Sequence, residues 1–456
     1  MPTTGLLLTK TIDPVGIEDI YYHDSAGRIT KHTNPAIAVA GNLFAYDANG
    51  YLTRTTSPTG VHTDYEYDSL GRETKTIQDV GGLDIEATSY YDDLGNITRS
   101  TDPRGKDTYF YYGDISCGGC SGGGQLTKVV DALGNESKWE YDADGLLTKT
   151  IRASGVSASY EYDAMRRPTK TIFPSGGTSF AIQAYDLMGR LTSSTKIGGS
   201  SSSIEYDHMG RITRLTDPIG STVHGYTSLG LVSTITDSLG HTTTMDYDGT
   251  FRLTKKTDAI GKITVISYDN YGRGTKIGAG ASGTNDPTTY FFNNSTGRLT
   301  KAEFSSSTYA SNYYYDGNGR TTKVTDWLDS TNGLLYEYDS LGRLTELTDY
   351  DNSTLTYSFD DSGNVLTRVD NHGNQTVYTY NDLGNLSTLT APGSKTWTFS
   401  RDEYGGLTRV DLPNGMHTEY GYDSQDRQTK IHHKDGSTLK KGFDYDFDDS
   451  GNITKA

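Results

Sequence analysis

A short sequence unit, Tyr-Asp-x-x-Gly-Arg-Leu/Ile-Thr, recurs from one end of this chain to the other. It defines 21 anchor positions, and 10 of the 20 intervals between them are 21 residues long. Eighteen anchors are glycine: Gly5, Gly27, Gly50, Gly71, Gly95, Gly124, Gly145, Gly189, Gly210, Gly230, Gly272, Gly297, Gly319, Gly342, Gly363, Gly384, Gly405 and Gly451. The other three are Arg166, Phe251 and Asp426. A short period that fills a chain indicates a repeat array, in which each unit is a supersecondary element buried by its neighbours.

The composition limits what such an array can bury. Hydrophobic residues make up 33% of the 456 residues, whereas a globular domain has about 45–50%. Tyrosine is nevertheless abundant, with 35 copies. Tyr and Thr recur at strand spacing, which argues against disorder. We therefore predict a thin sheet with one aromatic face in place of a thick aliphatic core.

The charge and hydropathy of the chain exclude two classes of partner. The net charge is −17, so no basic stripe can neutralise the phosphates of a nucleic acid or an anionic membrane. No run of about 18 apolar residues is present, which predicts no membrane insertion in this segment. The apolar stretch at residues 5–9 is too short for the core of a signal peptide.

Two turn signals alternate about ten residues apart. The first, Asp68-Ser69-Leu70-Gly71-Arg72, predicts a type I turn followed by glycine in the left-handed region, which is a three-residue hairpin loop with a G1 bulge. The second, Asp217-Pro218-Ile219-Gly220, predicts a type I turn with Pro at its second position. Turns this close leave strands of five to seven residues, so the array should be a meander of antiparallel hairpins.

The turn glycines are the first group of predicted site residues. They are Gly27, Gly50, Gly71, Gly95, Gly145, Gly189, Gly210, Gly342, Gly363 and Gly384. We expect positive φ at these anchors, so that valine at Gly71, Gly210 or Gly342 lowers stability by at least about 1 kcal/mol. Denaturation of each variant would measure this loss. The departures at Arg166 and Phe251 should show altered turns.

The strand before each Tyr-Asp alternates between apolar and polar residues, so its aromatic side chains share one face. Stacked repeats should then form an aromatic ladder of cross-strand pairs, each worth about 0.2–1 kcal/mol. The predicted ladder residues are Tyr65, Tyr67, Tyr141, Tyr160, Tyr162, Tyr336, Tyr338, Tyr378, Tyr380, Tyr420 and Tyr422. We expect the tyrosines to be less exposed than the carboxylates between them, Glu66, Glu337 and Glu419.

Some 42 short strands at about 4.8 Å spacing would make a ribbon roughly 200 Å long. Open sheets of more than about ten strands curl, split or close, so the ribbon should coil with one face inward. The predicted fold class is therefore all-β, with tandem antiparallel β-hairpin repeats of about 21 residues forming a curved, spiralling β-sheet shell. Residues 1–456 should form one such segment of about 20 repeats. Both ends fall at the same point of the repeat, as expected of a segment cut from a longer polypeptide.

The repeat resembles that of the RHS/YD-repeat proteins, which are named for the Tyr-Asp of units such as 67–72 and 338–345. That resemblance covers essentially the whole chain. It implies a spiralling sheet that closes into a hollow shell, as in bacterial polymorphic toxins and the cocoon of insecticidal Tc complexes. Teneurins use a similar shell for adhesion. The family's Asp-Pro-x-Gly-x-x-Asp-Pro autoproteolytic motif has no counterpart near residues 446–456.

The resemblance implies a structural, non-enzymatic role for this segment. It would be part of a shell that encloses or presents a C-terminal toxin or cargo domain of the same polypeptide, secreted or at the cell surface. The alternative is a surface adhesion module that binds glycans or partner proteins through three stretches that break the period. These stretches are residues 113–124, 274–288 and 302–312. Flanking sequence discriminates between the two: an autoproteolytic motif with a variable tail favours caging, and a membrane anchor favours adhesion.

The cysteines Cys117 and Cys120 form the one Cys-x-x-Cys pair. Such a pair can be a structural disulfide or inert thiols, half of a zinc site, or a redox site. A zinc site needs two further ligands, and no second pair exists. Acidic turns such as residues 142–145 resemble half a calcium loop, but they are ordinary repeat turns without the bidentate Glu. The sequence contains no hydrolase or nucleotide-binding motif, so we predict no cofactor and no metal.

Overall fold

The computed structural model describes residues 7–12, 18–33, 41–113, 124–173, 180–196, 200–280, 285–293, 296–304, 306–327, 331–402, 404–423, 426–447 and 453–455. Strands and turns account for the regular structure of these residues, and none of them is helical. Among the same residues, no helix has the length and apolar character needed to cross a bilayer.

The described part of the chain contains 42 strands, most of them five to seven residues long. Their bounds are β1 Leu7–Ile12, β2 Glu18–His23, β3 Ile29–Thr33, β4 Asn42–Tyr46, β5 Leu52–Thr56, β6 His62–Tyr67, β7 Glu73–Gln78, β8 Ile85–Tyr91, β9 Ile97–Thr101, β10 Asp107–Gly113, β11 Gln125–Val130, β12 Glu136–Tyr141, β13 Leu147–Ile151, β14 Ser157–Tyr162, β15 Pro168–Ile172, β16 Phe180–Tyr185, β17 Leu191–Thr195, β18 Ser201–Tyr206, β19 Ile212–Asp217, β20 Gly220–Tyr226, β21 Val232–Thr236, β22 Thr242–Tyr247, β23 Leu253–Thr257, β24 Ile263–Tyr268, β25 Gly274–Gly280, β26 Asn285–Phe292, β27 Leu299–Phe304, β28 Ser306–Tyr315, β29 Thr321–Thr325, β30 Leu334–Tyr338, β31 Leu344–Thr348, β32 Thr354–Phe359, β33 Val365–Asp370, β34 Gln375–Tyr380, β35 Leu386–Ala391, β36 Lys395–Arg401, β37 Leu407–Asp411, β38 Met416–Tyr422, β39 Gln428–Asp435, β40 Thr438–Asp444, β41 Asp446–Phe447 and β42 Ile453–Lys455.

The strands pair antiparallel with their neighbours in sequence. In the described residues, 40 of them belong to one open sheet, and β41 and β42 form a separate pair. The register of β6 with β7 is typical: Tyr65 faces Thr76, and a bulge follows between Glu66 and Tyr67. The same bulge lies before the anchor turn between β30 and β31. The predicted all-β array of antiparallel hairpins is therefore confirmed.

The anchor turns have the predicted three-residue loop. In the turn between β6 and β7, the N–H of Gly71 donates to the Asp68 carbonyl at 3.0 Å, and the N–H of Asp68 donates to the Arg72 carbonyl at 3.0 Å. At the ten predicted anchor glycines φ lies between +78° and +95°, so the expected left-handed conformation is confirmed there. Gly124, another of the anchor positions, does not have positive φ.

The prediction of altered turns at Arg166 and Phe251 is wrong. Arg166 and Phe251 have φ of 63° and 68°, and their N–H groups donate to Asp163 and Asp248 like those of the glycines. Asp426 behaves in the same way, with φ of 61°. Hairpin register and the closing hydrogen bonds thus impose the left-handed conformation even where a side chain makes it unfavourable.

We therefore expect Phe251→Gly to stabilise its hairpin by about 1 kcal/mol, because glycine adopts the left-handed region without steric strain. The Phe251 side chain is 55% exposed, so its removal should remove few packing contacts. Chemical denaturation would measure the gain. A loss of stability would mean that Phe251 has contacts that outweigh the backbone strain.

The second turns are less uniform than the anchor turns. The Asp102–Gly105 turn has the three-residue form, with the N–H of Gly105 bonded to the Asp102 carbonyl and φ of 76°. The Asp217–Gly220 turn is tighter, because Asp217 pairs directly with Gly220 in the ladder. A further Asp-Pro-x-Gly sequence, Asp13-Pro14-Val15-Gly16, lies outside the described residues.

The chain divides into two compact units, each composed of distant segments. The first unit is Met1–Thr88, Tyr226–Ile235 and Gly240–Gly373, and the second is Ser89–Gly225, Thr236–Leu239 and Asn374–Ala456. The buried apolar side chains among the described residues are Ile85, Ala302 and Ala310. The sheet is thus thin, as its composition predicts, and most side chains are half-buried.

In two of the three stretches expected to be loops, the described residues lie in strands. The described residues of 274–288 and 302–312 belong to the hairpins β25–β26 and β27–β28, whose strands pair antiparallel with one register shift in each. Strand extension satisfies the backbone of the added residues, which a long loop would leave to solvent. Most of the third stretch, residues 113–124, lies outside the described residues, and Cys117 and Cys120 lie there too.

Candidate functional site

Many repeats are held by the same set of side chains, which we call the repeat clamp: the Tyr, Asp, Gly, Arg and Thr of the motif. In the clamp at 67–74, Oδ1 of Asp68 accepts the N–H groups of Leu70 at 2.9 Å and Arg72 at 3.0 Å. Oδ2 of Asp68 accepts Nε of Arg72 at 2.6 Å. The hydroxyl of Thr74 donates to the carbonyl of Glu66 at 3.2 Å, across the bulge. The motif therefore fixes the turn and the bulge together.

The Asp–Arg pair recurs in repeats of both units. The pairs are Asp24–Arg28, Asp68–Arg72, Asp163–Arg167, Asp186–Arg190, Asp207–Arg211, Asp248–Arg252, Asp269–Arg273, Asp316–Arg320, Asp339–Arg343 and Asp423–Arg427. Each arginine neutralises the carboxylate of its own turn, because its Nε lies within reach of Oδ2.

The same arginine also reaches the next repeat. Nη1 of Arg320 donates to the carbonyl of Asp339 at 3.0 Å, and the Arg320 guanidinium lies 4.8 Å from the centre of the Tyr338 ring. Arg28 has the same geometry: its Nη1 donates to the carbonyl of Asp47 at 3.3 Å, and its guanidinium lies 4.8 Å from the centre of the Tyr46 ring. A cation over an aromatic ring is attracted to its π face. The arginine is thus a stack contact as well as a turn contact.

The tyrosine hydroxyl makes a third link, back to the preceding repeat. In each case it donates to the carbonyl of the residue that follows the preceding clamp Arg or its equivalent, at 2.7–3.0 Å. The pairs are Tyr46–Ile29, Tyr67–Leu52, Tyr112–Ile97, Tyr141–Leu126, Tyr162–Leu147, Tyr185–Pro168, Tyr206–Leu191, Tyr247–Val232, Tyr268–Leu253, Tyr315–Leu299, Tyr338–Thr321 and Tyr422–Leu407. Sequence reasoning missed this ladder; the regular return of Tyr at 15 to 17 residues after its acceptor was the available signal.

The predicted aromatic ladder residues are half-buried except for Tyr422, which is 37% exposed. Tyr67 stacks on Tyr51 with ring centres 5.2 Å apart, and its hydroxyl binds a backbone carbonyl as those of Tyr162 and Tyr338 do. Burial raises the pKa of the Tyr67 and Tyr141 hydroxyls above their usual value.

The predicted contrast between tyrosine and glutamate exposure holds for two of three sets. Tyr65 and Tyr67 are half-buried around exposed Glu66, and Tyr336 and Tyr338 around exposed Glu337. The prediction is wrong for the third set, where Glu419 is half-buried and Tyr422 is exposed.

The reason for this third case is a local ion cluster. Oε2 of Glu419 lies 2.7 Å from Nζ of Lys434 and 3.3 Å from Nζ of Lys430. The ring of the buried His417 lies 3.4 Å from the other carboxylate oxygen of Glu419. Hydrogen bonds from Lys434 and Lys430 lower the pKa of Glu419 to about 2. Three neighbouring side chains thus cover a carboxylate that the alternation pattern places in solvent.

The hairpin turns form two long edges in each unit, which we call the anchor edge and the second-turn edge. Within the first unit, Thr59 and Asp79 of the second-turn edge bond to Asn318 and Ser340 of the anchor edge. Within the second unit, Nζ of Lys106 lies 2.7 Å from Oδ1 of Asp382.

Two further bonds strengthen this edge contact in the second unit. Nη1 of Arg104 donates to the carbonyl of Asn381 at 3.4 Å, and the hydroxyl of Ser154 donates to Oδ2 of Asp426 at 2.9 Å. The bonded residues are 259 to 277 positions apart in sequence. Both units therefore contain the same arrangement, in which the ribbon returns and its second-turn edge lies against an anchor edge.

The clamp carboxylates predict an acid-sensitive fold. The backbone N–H and guanidinium of Arg72 hold the pKa of Asp68 below its usual value, and the side chain of Arg167 does the same for Asp163. The pKa of Asp207 is lowered by the N–H of Arg211. A pKa lowered by folding contributes stability above the unfolded value of about 3.9, and this stability disappears as pH falls through the folded value.

We therefore expect the thermal midpoint to fall steeply below about pH 4. Asp207→Asn removes one titrating group and should show a shallower pH dependence than the parent chain. A midpoint that does not change between neutral and strongly acidic pH would contradict the role of the clamp carboxylates.

Within the described ranges, no group of three or more His, Cys, Asp or Glu side chains is arranged to hold a metal ion.

Comparisons with known proteins agree with this architecture. The teneurin YD-shell family matches residues 252–454, and the RHS repeat family matches residues 46–83, 122–157, 141–178 and 226–263. Together these matches cover more than half of the chain. No curated protein sequence matches the chain.

Solved structures extend the fold likeness over the whole length. The TcdB2–TccC3 structure covers 99% of this chain at 14% identity with a TM-score of 0.52, and 31% of its own chain is matched. TcdB2–TccC3 without its hypervariable C-terminal region covers 98% at 16% identity with a TM-score of 0.53, and 30% of its own chain is matched. A Photorhabdus luminescens Tc holotoxin pore covers 95% at 18% identity, with a TM-score of 0.47 and 30% of its own chain matched.

This chain thus spans about 30% of the length of these Tc proteins. At such low identity the first two structures support the fold alone. The repeated clamp, the antiparallel hairpins and the two family matches lead to one conclusion: the chain belongs to the RHS/YD-repeat family.

Proposed function

We propose that residues 1–456 form one wall segment of a shell that encloses a C-terminal toxin or other cargo domain of the same polypeptide. The observation that carries this proposal is the return of the ribbon on itself. In each unit, edge contacts join residues 259 to 277 positions apart in sequence. A ribbon that lies against itself makes a wall taller than one hairpin.

The repeat clamp explains how such a wall keeps its form. Many repeats are linked backward by a tyrosine hydroxyl or forward by an arginine, as at Tyr338 and Arg343. Nearest-neighbour links of this kind fix the geometry from one repeat to the next, as in other repeat arrays. These side chains are occupied in holding backbone, which supports a structural role and not an enzymatic one.

The fold shared with the Tc structures is our reason for proposing an enclosed cargo. Those structures contain TcdB2 together with TccC3, and this chain matches 30–31% of their length. We infer that this segment supplies part of an enclosure in a secreted or surface-exposed protein. Alone it should be an open, partial shell that does not protect a cargo from protease.

The adhesion alternative has less support. It relied on period-breaking loops, but residues 274–280 and 285–292 are strands of the sheet, as are 299–304 and 306–315. The buried Ala302 and Ala310 show that the second of these hairpins is packed. A glycan-binding surface there would have to use strand faces.

The test asks which face of the sheet meets the cargo. A small folded reporter is fused after Ala456, and a photoreactive amino acid is placed at Tyr160 or Tyr336 on the tyrosine face. The matched control positions are Glu161 and Glu337, each one residue away on the opposite, exposed face. We expect cross-links to the reporter mainly from the tyrosine positions. Equal yields from both faces, or none from either, would contradict enclosure on the tyrosine face.

A further inference from the structure

Part of the anchor edge in the second unit carries a row of exposed apolar side chains. Each lies directly before an anchor: Met165 is 68% exposed, Met188 79% and Met209 68% in three successive anchor turns, and Leu94 is 70% exposed farther along the same edge. Exposed apolar rows of this kind are uncommon on soluble proteins and mark interaction surfaces.

The residue before the anchor is less exposed in a turn that already contacts a second-turn edge. Leu383 is half-buried, in the turn that receives Arg104 and Lys106 of the second-turn edge. The Arg104 guanidinium lies so close to Gly384 that a Cβ there would stand 3.2 Å from Nη1. A second-turn edge therefore covers the apolar position when it docks. The row at Leu94, Met165, Met188 and Met209 is the same surface without that cover.

The second-turn edge of the same unit has a matching concave surface. A groove of about 440 Å³ opens between the Asp217–Gly220 turn and the neighbouring turn at Asp237-Ser238. Ile204, Leu215 and Ile219 supply its apolar lining, and Ile219 is 93% exposed. The tight Asp217–Gly220 turn brings Gly220 so close to Ser238 that a Cβ on Gly220 would meet the Ser238 side chain.

We propose that these two surfaces bind each other between two copies of this chain. The apolar tips Met188 and Met209 of one copy enter the groove beside Ile219 of the other. Methionine suits this role because its unbranched, flexible side chain fills irregular apolar gaps. The contact would use the same pair of edges, second-turn and anchor, that bond to each other within both units. Successive turns on both edges are two strands apart, so their spacings agree.

This contact is heterologous, because different surfaces of the two copies meet. Such an interface leaves one unused anchor edge and one unused groove at the ends of every assembly, so growth does not close. We expect the molar mass of the purified chain to rise continuously with concentration, as measured by light scattering or sedimentation.

Two variants test the pairing of surfaces. Met188→Glu with Met209→Glu disables the anchor edge, and Ile219→Glu disables the groove. Each should weaken self-association at least about tenfold, because docking would bury an unpaired carboxylate. The replaced side chains are exposed, so circular dichroism should show an intact sheet. Ile182→Glu is the matched control, since Ile182 is 40% exposed within a strand of the same unit and should associate like the parent chain.

Mixing the two disabled variants gives the sharpest result. One retains the groove and the other retains the apolar tips, so together they should form a 1:1 dimer that grows no further. A parent chain that remains monomeric, a mixture that remains monomeric, or either variant alone that still assembles would overturn the proposal.

Discussion

Tyr315→Ala should lower the free energy of unfolding of its hairpin by about 3 kcal/mol, because it removes aromatic packing and a backbone link together. The Tyr315 hydroxyl donates to the carbonyl of Leu299 at 2.8 Å, and the Arg298 guanidinium lies 5.6 Å from the ring centre. Burial raises the pKa of this hydroxyl, which agrees with its partly desolvated position. Chemical denaturation and local hydrogen exchange would measure the loss.

Two variants separate the contributions of the ring and the hydroxyl. Tyr315→Phe keeps the ring and should cost about 1 kcal/mol, the usual net value of one hydrogen bond. Another repeat of this chain has Phe359 at the Tyr position, and there the Arg343 guanidinium still lies 4.8 Å from the ring centre. Tyr314→Ala is the matched control, since Tyr314 is 48% exposed on the opposite face and should cost less than about 1 kcal/mol. Equal losses at 314 and 315 would contradict the tyrosine ladder.

The sequence predicts much of the local structure, because hairpin geometry depends on residues close together in the chain. The spacing of the motif predicts 42 short strands, and the structure has that number in its described part. Glycine at 71 predicts positive φ, which is observed at 78°. The errors at Arg166 and Phe251 came from treating residue propensity as decisive where ladder register and closing hydrogen bonds are stronger.

Contacts between distant repeats could not be predicted in the same way. Whether Asp79 meets Ser340, or Lys106 meets Asp382, depends on the curvature accumulated over more than 20 strands, to which each turn and bulge contributes. The motif also does not predict which contacts each side chain of the clamp makes. From the sequence, Arg320 could pair with any nearby carboxylate. In the structure it forms an ion pair with Asp316, donates to the Asp339 carbonyl and lies over the Tyr338 ring.

Asp339→Ala is expected to disorder its turn at a cost of about 2–4 kcal/mol, since hydrogen bonds to a charged group contribute about 1.5–3 kcal/mol each. The Asp339 carboxylate accepts the N–H of Arg343 at 2.8 Å and Nε of Arg343 at 2.6 Å. Its loss leaves both donors without this acceptor in a turn that is largely shielded from water, since the Asp339 side chain is only 16% exposed. Hydrogen exchange should rise in β30 and β31 and remain unchanged several repeats away, because repeats contact mainly their neighbours.

The controls for this substitution are Asp339→Asn and Asp361→Ala. Asparagine keeps the Oδ1 acceptor, as the native Asn381 does when it accepts the N–H of Asn385 at 2.9 Å, so about half of the loss or less is expected. Asp361 is an exposed turn carboxylate outside the clamp position, and its removal should change stability by less than about 0.5 kcal/mol. If Asp361→Ala were as destabilising as Asp339→Ala, general surface charge, and not the clamp, would hold the turns. A loss confined to Asp339 would show that one carboxylate closes the turn, while Arg343 continues to the next repeat through its 2.9 Å bond to the Asp360 carbonyl.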